Sequence, residues 1–187
     1  MNVRCVSATL LSLLLAACSS SRFGSKFDYA FSKTLSNEGG YVNDPDDPGG
    51  ETNYGISKKA YPDADIKGLT IDKVKDLYYR DYWLKARFDR VRNCEVAAKL
   101  FDISVNFGDE QAREIVQRSL ASVYRNPRLL KCDDSWSKMI PLINCVPNND
   151  AFLSAIRSDQ AAVYRMIVRN KEPMRKFLDG WLSRAYT

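Results

Sequence analysis

Apolar positions recur at helical spacing along most of the chain. Phe27, Ala30, Phe31 and Leu35 share one face, with Ser25 placed to cap the helix and Glu38-Gly39-Gly40 placed to stop it. A second helix is predicted after Thr70, with Ile71, Val74, Leu77, Tyr78 and Tyr82 inward. Val96, Leu100, Ile103 and Phe107 mark a third, and Asp109 caps a fourth that buries Ala112, Ile115, Val116 and Leu120. Residues 151–169 form a long helix with Phe152, Ala155, Ile156, Val163 and Ile167 inward. Pro173 opens a last helix carrying Phe177, Leu178, Trp181 and Leu182. Residues 41–56, dense in Asp, Pro and Gly, read as loop or short hairpin, and residues 125–148, with Pro127, Pro141 and Pro147, as irregular. Strand alternation is absent beyond a few residues. The pattern therefore predicts a mainly α chain with one small loop or β-hairpin lobe.

Composition narrows the chemistry. The 187 residues suit one compact domain, and 45% hydrophobic with 27% charged residues is globular composition. There is no histidine. That removes Ser-His-Asp and Cys-His nucleophiles and histidine-ligated zinc, and leaves carboxylates as the acid/base groups of any enzyme reading. The net charge of +5 is spread among acids, with no nucleic-acid-binding motif, so no nucleic-acid partner is expected.

Residues 6–17 are apolar, preceded by Arg4. This run is too short for a membrane span of about 20 residues and fits an export signal. It ends in Leu15-Ala16-Ala17-Cys18, followed by Ser19, Ser20 and Ser21. The arrangement resembles a bacterial lipobox, whose cysteine becomes the lipidated first residue of the mature chain. The alternative is an ordinary signal peptide with an incidental Cys18. The resemblance implies a membrane anchor at Cys18. Ser19 resembles the pattern of lipoproteins kept on the periplasmic side of the outer membrane. The expected organisation is a signal peptide at 1–17, a linker at 18–24, a catalytic region at 25–92 and a helical region at 93–187, the last two packed as one unit. Of the other mature cysteines, Cys132 and Cys145 bracket a short Pro-containing stretch and are the preferred disulfide pair, leaving Cys94. No C-x-x-C spacing exists, so no metal site is expected.

The densest chemistry lies in residues 38–56, which hold Glu38, Asp44, Asp46, Asp47 and Glu51 among glycines. Two carboxylates facing each other across a cleft are the apparatus of glycoside hydrolysis, one protonated and one ionised. Glu38 and Asp47, nine residues apart across a loop able to fold back, fit that requirement. A calcium loop is the competing reading, although the acid spacing departs from the EF-hand pattern. A solvated acidic turn is another.

The loop resembles the signature of glycoside hydrolase family 108, lysozyme-like N-acetylmuramidases of phage endolysins and bacterial secretion-associated enzymes. The shared residues are Glu38–Tyr41, Asn43–Pro45, Asp47–Gly50, Thr52 and Tyr54–Ile56. The similarity continues through Leu77-Tyr78 and Asp81-Tyr82-Trp83. It then meets a region similar to a small peptidoglycan-binding module: Leu100-Phe101-Asp102, Val105 to Gly108, Gln117-Arg118 and Gly180-Trp181-Leu182. Residues 132–138 depart from it, lacking the glycines of the usual turn.

The resemblance implies a lysozyme-like helical fold whose hairpin lobe carries the active site. It implies cleavage of the β-1,4 bond between N-acetylmuramic acid and N-acetylglucosamine in peptidoglycan, without a cofactor. Glu38 is then the proton donor, and Asp47 and Thr52 position the attacking water. Asp44 and Glu51 compete for the second carboxylate, and Glu51 serves equally as a salt-bridge residue. Tyr41 and Glu51 are candidate substrate contacts. Tyr54 either stacks on a sugar or packs the core, and Asn106 either touches substrate or caps Gly108. Opening the wall for secretion would imply a secretion-machinery partner; phage lysis would not. A non-catalytic peptidoglycan-binding lipoprotein and a lytic transglycosylase are the alternatives.

Overall fold

The computed structural model describes residues 22–36, 40–43 and 50–186. Cys18, Glu38, Asp44 and Asp47 lie outside the described residues.

The chain is mainly α with one two-stranded hairpin, as expected of a lysozyme-like arrangement. Helix α1 spans Ser25–Leu35 and buries Phe27, Ala30, Phe31 and Thr34, an i, i+3, i+4, i+7 stripe. Its cap is Gly24 rather than Ser25. The chain enters α1 at φ +85°, a left-handed conformation that glycine adopts without strain. Strands β1 (Thr52–Asn53) and β2 (Ile56–Ser57) pair antiparallel. Tyr54 and Gly55 between them both have positive φ, +50° and +76°, as a type I′ hairpin turn requires.

Helix α2 (Ile71–Tyr78) starts at Thr70, whose hydroxyl accepts from the Lys73 N–H at 3.4 Å. It buries Val74 and Tyr78 and leaves Ile71 exposed, contrary to expectation, because Ile71 opens the first turn on the solvent side. A π-helical turn (Tyr79–Leu84) and a 3₁₀ turn (Phe88–Arg90) follow. Between them Trp83, Ala86 and Phe88 are driven into the core.

Helix α3 (Cys94–Phe107) is the axis of the molecule. Every residue from Val96 to Ser104 is buried, not merely the stripe the periodicity marks. The aromatic centre forms where α1, the π turn and α3 meet. Phe27 lies edge-on to Tyr79, Trp83 and Phe101, with ring centroids 4.9, 5.4 and 5.7 Å away. Such pairs add roughly 0.5–1.5 kcal/mol each beyond area burial.

Helix α4 spans Asp109–Val123, again capped by a glycine, Gly108 at φ +81°. Asp109 is therefore the first helical residue, and its carboxylate accepts from Trp136 Nε1 at 2.7 Å and Arg113 Nε at 3.1 Å. The stretch expected to be irregular contains a 3₁₀ turn (Pro127–Lys131) and helix α5 (Trp136–Ile143). Pro141 lies inside α5 and forfeits one backbone bond there. Trp136, Met139, Ile140 and Ile143 form a buried stripe that outweighs this cost. Helix α6 (Asn149–Asn170) is capped by Asn148. Pro173 falls in a 3₁₀ turn (Glu172–Phe177), and α7 (Leu178–Tyr186) follows it.

The expected Cys132–Cys145 bridge is not formed: Cys94, Cys132 and Cys145 are free and exposed. Cys132 Sγ instead donates to the Arg128 carbonyl at 3.4 Å. The eight-residue helix α5 stands between the two thiols, about 12 Å of rise, whereas a disulfide needs Cα atoms within about 7 Å.

Candidate functional site

The hairpin lobe is built on backbone bonds. Val42 and Thr52 exchange two N–H···O bonds of 2.8 Å, which clamps residues 41–43 beside 50–53. Tyr41 donates its hydroxyl to Glu51 Oε1 at 2.9 Å, and that bond holds the phenol above its ordinary pKa. Lys67 Nζ lies 5.9 Å from the Tyr41 ring centroid. Thr52 Oγ1 donates to the Gly50 carbonyl at 3.1 Å, so its lone pairs remain to accept a proton from elsewhere. The Tyr54 carbonyl accepts from Tyr78 at 2.8 Å, and its half-buried ring packs on the main core. Buried Asn53 anchors the lobe by donating to the Ile66 carbonyl at 3.1 Å.

Thr52, Tyr41, Glu51 and Tyr54 thus share one small element. Asn106 stands apart, on the last turn of α3, and donates to the Tyr164 hydroxyl of α6. It does not cap Gly108, whose N–H bonds the Ser104 carbonyl at 3.0 Å.

Beside the hairpin lobe lies a cleft of about 400 Å³, walled by Tyr61, the π-turn residues Asp81 and Tyr82, Lys85, and Ser104 and Asp109 at the α3–α4 junction. Tyr61 donates to Asp81 Oδ2 at 2.9 Å, and Arg80 grips both Asp81 oxygens at 2.6 and 2.7 Å. The Arg80 guanidinium and the Tyr61 hydroxyl hold the Asp81 carboxyl below its usual range. Burial, then the bond to Asp81, pushes the Tyr61 phenol up. Asp81 is therefore an anion at neutral pH and Tyr61 a protonated donor. Ser104 Oγ is buried without a hydrogen-bond partner. Aromatic rings beside fixed donors and acceptors suit a polyhydroxylated ligand. The sequence marks Tyr82 as an inward helix position and Asp81 only within the resemblance, and it does not mark Tyr61 or Ser104. Nothing local marks those two, because their neighbours come from distant elements.

A second cavity, about 170 Å³, opens at the C-terminal end of α1. Lys33 and Ser36 of α1, Glu95, Lys99 and Asp102 of α3, and Arg157 of α6 line it. Ser36 precedes Glu38 by two residues in the chain. Lys33 pairs with Glu95 at 2.9 Å, and Tyr29 donates to the same carboxylate, which holds Glu95 low. Lys99 is the most perturbed cation: burial pushes its ammonium down to about 8 against the partial support of Asp102. It donates to the Ala185 and Arg184 carbonyls of α7 at 2.9 and 3.2 Å, while Arg184 pairs with Asp102 at 3.0 Å.

The lowered Lys99 value makes a pH prediction. Between about 8 and 10.5 the unfolded chain binds this proton more tightly than the folded one, so stability rises with pH across that window. The gain is up to about 3 kcal/mol. Urea unfolding at stepped pH is expected to show this rise in the wild type and to lose it in Lys99→Met.

The comparisons with known proteins come to bear on this geometry. Residues 31–108 match the model of the family described as Glycosyl hydrolase 108. The match runs from α1 through the hairpin and the cleft to the end of α3. Among solved structures, the chain is similar to SagA of Brucella abortus, with 25% identity, a TM-score of 0.66 and coverage of 86% of this chain and 89% of that one. Comparison with the curated proteins gives no match.

Proposed function

We propose that this chain is a peptidoglycan hydrolase of the lysozyme-like kind, an N-acetylmuramidase. It cleaves the β-1,4 bond between N-acetylmuramic acid and N-acetylglucosamine. The observation that carries the reading is the Glycosyl hydrolase 108 match over residues 31–108, which contains the whole acidic loop. Glu38 is the proton donor: its carboxyl proton passes to the glycosidic oxygen as the C1–O bond breaks. The water oxygen bonds C1 and its proton goes to Asp47, the second carboxylate. Thr52 supports this step, since its own proton is engaged by Gly50 and its oxygen accepts from the water. The cleft beside the hairpin accommodates the glycan, with Tyr61 and Tyr82 as sugar-facing rings and Asp81 as a fixed acceptor. Tyr41, Glu51 and Tyr54 of the hairpin lobe are the further candidate substrate contacts. No cofactor is needed. The chain acts as a lipoprotein held at Cys18 on the periplasmic side of the outer membrane, opening the wall for secretion or lysis.

Protein lacking residues 1–17, with Cys18→Ser, is incubated with purified peptidoglycan and the products are weighed by mass spectrometry. Fragments with reducing N-acetylmuramic acid ends are expected. Ends carrying 1,6-anhydro sugar would replace hydrolysis with transglycosylation. Binding without soluble fragments would leave a non-catalytic wall protein.

A further inference from the structure

Just after the cleft-lining residues Lys85 and Ala86, the chain builds a basic groove. Its volume is about 470 Å³, and Arg87, Arg90, Arg92, Ser137, Asn144 and Cys145 line it. No carboxylate is in the lining. Among the described residues, none of the three guanidiniums has an ion-pair or hydrogen-bond partner. Asp89, the acid of the same loop, forms no ion pair with them; its carbonyl accepts from Lys26 at 3.2 Å.

The arginines are displayed on a fixed backbone. Phe88 and Val91, between them, are completely buried, and the Phe88 ring lies edge-on to Trp136 at 4.8 Å. Asn144, the C-cap of α5, staples the loop from the other side: its amide donates to the Arg90 carbonyl at 2.9 Å and accepts from the Arg92 N–H at 2.8 Å. Arg87 is held at φ +61°, where an L-residue is strained. That conformation closes the turn between the two short helices, with the Arg87 N–H on the Leu84 carbonyl and the Arg87 carbonyl accepting from the Arg90 N–H, both at 3.0 Å, so the start of the arginine loop is fixed by backbone bonds. The groove follows the cleft along the chain: Lys85 and Ala86 wall the cleft, and the next residue, Arg87, walls the groove.

We infer that Arg87, Arg90 and Arg92 form an exosite for the carboxylates of the polymer whose glycan occupies the cleft. This inference rests on the hydrolase reading. In peptidoglycan the carboxylates belong to the stem peptides, which branch from the sugar strand at regular intervals. Guanidinium forks match carboxylates bidentately. The exosite therefore selects strands whose stem carboxylates are free over strands whose carboxylates are neutralised.

The test compares wild type with the triple variant Arg87→Gln/Arg90→Gln/Arg92→Gln on two substrates: stem-bearing strands and the same strands with their carboxylates capped as methylamides. At low salt the variant is expected to show about a tenfold higher KM on stem-bearing strands, as three partly exposed ion pairs would give, with kcat unchanged. On capped strands the two proteins should agree. The difference should shrink at 0.5 M salt, and the triple Arg→Lys variant should recover part of it. Equal KM on stem-bearing strands, or an equal loss on both substrates, overturns the exosite. If the wild type cleaves neither substrate, the hydrolase reading fails, and co-sedimentation with intact sacculi decides the groove alone. Weaker sedimentation of the Gln variant supports the exosite, and equal sedimentation overturns it. Unchanged melting temperatures in the variants exclude a folding cause.

Discussion

Glu38→Gln is expected to lower the rate of peptidoglycan cleavage by about 10²–10⁴-fold, the usual contribution of a positioned general acid. Glutamine keeps the length and polarity of the side chain but has no proton to give. The sugar leaving group would have to depart as an alkoxide, so the loss should fall on kcat rather than on KM. The aromatic core at Phe27, Trp83 and Phe101 lies within the helices, so folding should be untouched and the melting temperature should match the wild type. Thr52→Ala is a milder contrast, since it removes one hydroxyl that orients water without removing the acid. Release of soluble muropeptides, followed by chromatography, measures both. A Glu38→Gln protein within threefold of wild type would remove this side chain from the chemistry.

Asp102→Asn is expected to destabilise the fold by about 3–5 kcal/mol. Asp102 is buried between two cations, 3.8 Å from Lys99 Nζ and 3.0 Å from Arg184 Nη2. Their side chains are only 7% and 12% exposed, so neither can turn to water when the carboxylate charge goes. For a chain of this size the melting temperature should drop by roughly 6–20 °C. The deficit has a pH signature. Without Asp102 the Lys99 ammonium falls still further below its ordinary value, and raising the pH above 8 lets it go neutral. The gap between variant and wild type should therefore narrow under alkaline conditions, which urea titrations at two pH values would reveal. An equal gap at both values would shift the cause from charge to packing.

Much of the fold follows from local pattern. α1, α2, α4 and α6 declare themselves by apolar stripes. The hairpin is legible only as the Asp-, Pro- and Gly-rich run of 41–56, because a turn that holds Tyr54 at positive φ carries no local signal. Ser25 and Asp109 have the side chains of caps, yet the caps lie one residue earlier, because a positive-φ entry at Gly24 and Gly108 sets each helix start. α5 was hidden because Pro141 and the flanking prolines read as breakers, and only tertiary burial of Trp136 and Ile140 reveals why the helix persists. The full burial of α3 was hidden for a related reason: Lys99 and Asp102 look like surface residues until α7, more than eighty positions away, arrives to pair with them.

The site divides along the same line. Tyr41, Glu51, Thr52 and Tyr54 could be named because they fall in one short motif. Tyr61 and Ser104 could not, because the cleft draws them from separate elements. Nor could the arginine groove, since three arginines among scattered charges carry no local signature until Asn144 fixes the loop that bears them.

The clasp between α3 and α7 also bears on how the chain matures. Synthesis delivers the central helix long before the carbonyls of Arg184 and Ala185 exist to receive the Lys99 ammonium. Without α7 the Lys99 ammonium and the Asp102 carboxylate lose these far partners, so a chain cut before Leu178 is expected to open at this seam and to be digested faster than the intact protein, which limited proteolysis would read.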